Sequence, residues 1–253
     1  MPTPKLKFIL DEEYSVETAL QMITERVKCN RVYGNVRLEY SELTAIETLI
    51  KSGESNLEKE KNRIEARKII KKNYQDKGIQ ILLRESLSTY QKSWDEINKD
   101  FFETIVRLTG FPWTYDEYEC VLSPFVVGVS SWNGNKIVRS CGENSLTMRK
   151  ITAHELILAH IFDILTRVFG AYDLTSRQKW AISEICASMV TGSDEVENKF
   201  WPWSKVENCF KSIDCHKELY VLRDILKKDY TEQLNFKKFL IMAIAKTQDF
   251  IKE

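Results

Sequence analysis

The chain has 253 residues, 43% hydrophobic and 29% charged, which is enough apolar material for a substantial core. Lys+Arg and Asp+Glu balance at 37 each, and that neutrality excludes a dedicated nucleic-acid binder, which carries a basic excess. No run of ~18 apolar residues is present, so no membrane-spanning helix is expected.

Residues 5–11 (KLKFILD) alternate with Leu6, Phe8 and Leu10 on one side, which predicts a short first strand. The polar start before it predicts no secretory leader. Ser15 has the chemistry of a helix N-cap, and Val16, Ala19, Leu20 and Ile23 follow at helical spacing through about Val27. Residues 29–35 carry turn signals. A second helix opens at Ser41-Glu42 and stops at Gly53. Residues 57–77 are the most charged stretch, helical in propensity with basic residues dominant, and predict a solvated outer face. Helices are expected over 78–87 and 88–108, the latter with Trp94, Ile97, Phe101, Phe102, Ile105 and Val106 on a strongly apolar face, closed by Gly110-Phe111-Pro112.

From Tyr115 the pattern changes. Residues 119–130 and 136–140 are β-rich, with Asn133-Gly134-Asn135 as a hairpin turn between them. Pro124 and Gly128 predict an edge strand or a bulge in the first segment. Residues 150–168 (KITAHELILAHIFDILTRV) then place apolar side chains at Ile151, Leu158, Ile161 and Leu165, and at Ile157, Ile161, Ile164 and Val168. That is a helix with one broad buried face, and it holds two of the three histidines in the chain, His154 and His160, with Glu155 beside the first. Gly170 and Asp173 end it, and a second core helix runs from Thr175 or Ser176 to about Val190. Glu184 lies in the middle of that apolar run, where a carboxylate must find a partner if it is buried. Residues 192–199 are expected as a loop, Phe200-Trp201-Pro202-Trp203 as an aromatic plug, and helices over about 214–228 and 235–251 close the chain. The six cysteines (Cys29, Cys120, Cys141, Cys186, Cys209 and Cys215) form no C-x-x-C, which predicts reduced thiols in a cytoplasmic protein; Cys209, Cys215 and His216 match no standard zinc-knuckle spacing. The whole reads as one α+β, predominantly helical domain over 1–253, with a strand and helices in 1–112 and the hairpin and its helices in 113–253.

His154-Glu155 heads an H-E-L-I-L segment that resembles the H-E-x-x-H motif of metalloproteases. In that motif two histidines four residues apart on one helix face reach one zinc, and the glutamate is general base for the metal-bound water. Here Leu158 stands at the second ligand position, and His160 comes two residues later, about 120° around a regular helix from His154. The order of a hairpin, a His-Glu helix, a loop and a helix with an interior glutamate is similar to the core of zincin metallopeptidases of the gluzincin type, over roughly residues 119–190. The resemblance implies a small sheet whose edge strand binds extended peptide. It implies zinc as the metal, His154 as first ligand, Glu155 as general base and Glu184, within S-E-I-C-A, as third ligand. With leucine at 158, it implies a zincin-like protein with an incomplete zinc site, inactive or altered in activity and retaining peptide or protein binding. Two alternatives stand beside it. One is an active zinc peptidase whose second ligand is His160 or His216. The other is a non-catalytic helical interaction module in which His154 and Glu184 are core residues far apart.

Overall fold

The structure, a computed structural model, describes residues 3–29, 35–53, 55–127, 131–203, 217–232 and 235–252. Its sheet is built from β1 (Lys5–Ile9), β3 (Glu117–Ser123), β5 (Ser131–Asn133) and β6 (Lys136–Ser140), in the order β1-β3-β6-β5. β1, β3 and β6 run parallel, and β5 runs antiparallel to β6 at the edge. β2 (Asn35–Val36) and β4 (Val126–Val127) form a separate antiparallel pair. The hairpin turn falls at Gly134-Asn135, between the paired Asn133 and Lys136, and Gly134 takes the left-handed φ of 60° that suits glycine. Pro124 ends β3 before the chain turns into β4. β3 is therefore an interior strand between β1 and β6, not the edge strand its proline suggested; the proline sits just past the last ladder position, where its missing N–H costs nothing.

Ten helices are described: α1 (Glu12–Cys29), α2 (Tyr40–Ser52), α3 (Asn56–Tyr74), α4 (Lys77–Asp95), α5 (Asn98–Thr109), α6 (Thr147–Arg167), α7 (Ser176–Thr191), α8 (Asp194–Phe200), α9 (Lys217–Glu232) and α10 (Phe236–Phe250). The protein is thus α+β and predominantly helical. One contiguous apolar cluster reaches from Leu6 to Ile251 and joins the sheet, α1, α4, α5, α6, α7, α9 and α10. No helix among the described residues is long and apolar enough to cross a membrane.

Several boundaries differ from the sequence expectation. Asp11, not Ser15, caps α1: its carboxylate accepts the Tyr14 N–H at 3.0 Å, while Ser15 is buried inside the first turn against β3. Residues 77–95 form one uninterrupted helix with no break at 87/88, and the break comes at Glu96-Ile97. There Asn98 leaves the helical pattern of α4 to serve Trp94 Nε1–H (3.0 Å) and β1. The expected loop at 192–199 is largely helix α8, whose first-turn Asp194, Glu195 and Glu197 favour the N-terminal end of the helix dipole. Of the aromatic plug, Phe200 and Trp201 are buried, whereas Trp203 is half-exposed beneath the Arg149 guanidinium. Ile151 and Val168 are exposed, so the buried face of α6 is narrower at its ends than the spacing suggested. Most of the 29–35 turn, Gly128, Cys209, Cys215 and His216 lie outside the described residues. Cys120, Cys141 and Cys186 are buried free thiols.

Candidate functional site

The site is the seam where α6 packs on α7, the most extensive helix pairing in the protein. The start of α6 is fixed from α4. Tyr90 Oη donates to the Glu143 carbonyl (2.9 Å) and accepts the Glu143 N–H (2.7 Å). Ser93 Oγ donates to the Ser145 carbonyl (2.8 Å) and accepts from Arg149 Nε (2.8 Å), and Glu96 takes the other side of that guanidinium. These side chains lie three residues apart on one face of α4, so they hold the last loop and first turn of α6 like rungs. α7 starts at a capping box in which Thr175 accepts the Gln178 N–H and the Gln178 side chain accepts the Thr175 N–H.

Those two helices bring His154 and Glu184 together. His154 Nε2 lies 3.3 Å from Glu184 Oε1, with the side chains 12% and 17% exposed. Burial lowers the His154 pKa, but the Glu184 charge, its hydrogen bond and the Glu155 charge outweigh burial and the opposing Arg139, and the net shift is upward. The pair is therefore biased toward an imidazolium–carboxylate contact. Glu155 is buried beside it. Leu158, one turn beyond His154, is 2% exposed and belongs to the apolar core. One turn before His154, Lys150 Nζ is 2.7 Å from Glu197 Oε1 of α8 and closes the other end of the polar strip.

His160 does not join this pair. α6 is a regular helix through position 160, with no bulge to rotate the later residue back. His160 instead lies 1% exposed under Trp113, ring centroids 4.2 Å apart and 24° between planes. Burial pushes its pKa down to about 4. Further along the same helix Asp163 and Arg167 form an ion pair, and His160 lies on the buried side of it. Among the described residues no group of three or more His, Cys, Asp or Glu side chains is placed to hold one metal ion. His154 and Glu184 supply two donors of the kind zinc takes, one short of the three protein ligands of a catalytic site.

Sequence reasoning missed Arg139. It is 2% exposed on β6, holds Glu143 at 2.6 Å, and its charge reaches His154 and Cys120. Both faces of β6 are buried from Ile137 to Ser140, so alternation along the strand gave no signal that Arg139 lies inside. Comparison of the chain with protein-family models, with curated proteins and with solved structures gives no match.

Proposed function

We propose that this protein is a zincin-like relative of the metallopeptidases whose zinc site is incomplete, so that it binds peptide without hydrolysing it. The observation that carries the reading is the meeting of His154 and Glu184 across α6 and α7 while a buried leucine stands in the second histidine position. The order of elements supports it: hairpin β5–β6, helix with His-Glu, short connection, helix with the opposing glutamate. A catalytic zinc needs three protein ligands, and an aliphatic side chain supplies none. Glu155 then has no metal-activated water to deprotonate, and a bound peptide is held without being cut. Peptide binding on this reading would use the antiparallel edge strand β5, where an extended peptide can add as a further strand. The meeting of His154 with Glu184 counts against a helical module in which the two are unrelated core residues.

The test is the metal content of protein purified without added metal or chelator, by elemental mass spectrometry, for wild type, Leu158→His and His154→Ala. Wild type is expected to be empty and Leu158→His to gain near-stoichiometric zinc. Stoichiometric zinc in wild type that His154→Ala loses would overturn the incomplete-site reading; peptidase assays with Glu155→Gln as control would then test an active enzyme. If Leu158→His also stays empty, the zincin reading itself fails.

A further inference from the structure

α5 and β3 are joined by residues 110–116, a loop that leaves α5 through Gly110 at a left-handed φ of 75°. Its anchor is Trp113. The indole packs on Phe102 (4.8 Å) and Tyr118 (5.4 Å), donates Nε1–H to the Phe102 carbonyl (3.1 Å), and lies flat on His160 (4.2 Å). The next residue, Thr114, bonds Asp163 and Arg167 one turn and two turns along α6 from His160. The loop is thus fastened to α6 at two adjacent points, one apolar and one polar.

The apolar point has an unusual weakness. His160 is almost fully buried, and neither Nδ1 nor Nε2 has a hydrogen-bond partner. The neutral ring already leaves one N–H without a bond, and a second proton would add a buried charge whose sole nearby acceptor among the described residues is the Phe111 backbone of the loop. The charged groups that face it are Asp163 and Arg167 on its own helix, and they bond each other and Thr114. The loop offers only the Phe111 backbone, Trp113 and Thr114, and β3 offers Tyr118 behind the indole. Releasing the loop is the local motion that would let water reach the ring.

We propose that His160 and Trp113 form an acid-sensitive latch: protonation of His160 releases the 110–116 loop from α6 while the α6–α7 seam stays folded. The released loop lifts Trp113 from Phe101, Phe102 and Tyr118 and uncovers those rings. The latch is independent of any metal at His154 and Glu184, so its failure and the failure of the zincin reading are separable.

Hydrogen exchange read by mass spectrometry, corrected for intrinsic pH dependence, tests it on the full chain. Protection of amides 110–118 is expected to fall roughly tenfold per pH unit between about 6.5 and 4, because only the open state takes the proton there. Amides of α7 should stay better protected than the loop at every pH, and His160→Phe, which retains a stacking ring, should flatten the dependence. The idea is overturned if α7 and the loop exchange at one common rate across that range, or if His160→Phe follows wild type. Should the variant fold poorly, the His160 ring resonance of wild type decides by NMR. A titration midpoint depressed well below 6.5 supports the latch, and one near 6.5 overturns it.

Discussion

Leu158 shows how one residue sets the character of the site. It is one turn from His154, 2% exposed, and packed among apolar neighbours. Truncation to alanine is expected to lower unfolding free energy by about 2–5 kcal/mol in a urea titration. Leu158→His is a different experiment on the same atom positions. Without metal the imidazole is a poorly satisfied polar group in the core and the melting temperature should fall. With zinc it should recover in proportion to occupancy, since a ligand that binds only the folded state stabilises it. Recovery with magnesium as readily as with zinc would argue against a nitrogen-donor site. The His-Glu dipeptide and the carboxylate inside an apolar run singled out His154 and Glu184 one by one, and it was the resemblance to zincins that implied they meet. Spacing could not identify the partner of His160, since Trp113 is brought in by a loop from another element.

At the scale of elements, β1 depends on side chains from two helices. Gln91 of α4 accepts the Phe8 N–H (2.9 Å) and donates to the Leu6 carbonyl (3.2 Å). Asn98 of α5 accepts the Leu6 N–H (3.1 Å) and donates to the Pro4 carbonyl (2.9 Å). These are the groups of β1 that point away from β3, so the amides act as a substitute strand. Asn98→Ala removes those bonds and the acceptor of Trp94 Nε1–H, and should cost about 3 kcal/mol with early loss of exchange protection in β1. Asn98→Asp, which keeps the acceptor but not the donor, should cost less. An effect within ±0.5 kcal/mol for Asn98→Ala would show that water replaces the amide there. β1, β3, β6 and most helices were legible from periodicity, but β2 and β5 were not, and β6 forms its hairpin with β5 while the expected partner segment, β3, runs parallel to it. The break between α4 and α5 was not legible either, because no Gly or Pro marks it and Asn98 is chosen by its contacts with β1 rather than by local propensity. Helix α3, read as a solvated face, lies on α1 through Arg63, Arg67 and Lys71 to Glu12, Glu13 and Glu17. Charge pattern cannot tell water from an oppositely charged neighbour.

For the molecule as a whole, the two described histidines pull stability in opposite directions with pH. The folded pKa of His154 is raised, so its contribution is complete below the unfolded value near 6.5 and is lost as pH rises through the folded value. The folded pKa of His160 is lowered to about 4, so its contribution is complete above about 6.5 and is lost as pH falls toward 4; that loss amounts to about 3 kcal/mol. Metal-free protein should therefore be most stable in a band around neutrality. His160→Phe should flatten the acid side and His154→Ala the alkaline side, as read from urea midpoints at several pH values. The exposed ion pairs between α1 and α3 should add little, and added salt should leave the width of the band nearly unchanged. The α+β class and its helical majority were legible from the order of periodic segments. The parallel order β1-β3-β6 was not, because β1 and β3 lie more than a hundred residues apart in the chain and the turn signal before β6 pointed to an antiparallel partner.

The amide caps on β1 also decide how copies of this protein can associate. A sheet with two open edges can recruit neighbours on both sides and grow into a filament. Here one end is stoppered by Gln91 and Asn98, and β5 alone among the described strands of the four-stranded sheet has a vacant side. Two molecules could join β5 to β5, but that contact consumes both vacancies and a third has nowhere to add. Association through the edges of the four-stranded sheet is therefore self-terminating at a pair, and removing the stopper at β1 would convert a chain-ending unit into a chain-extending one.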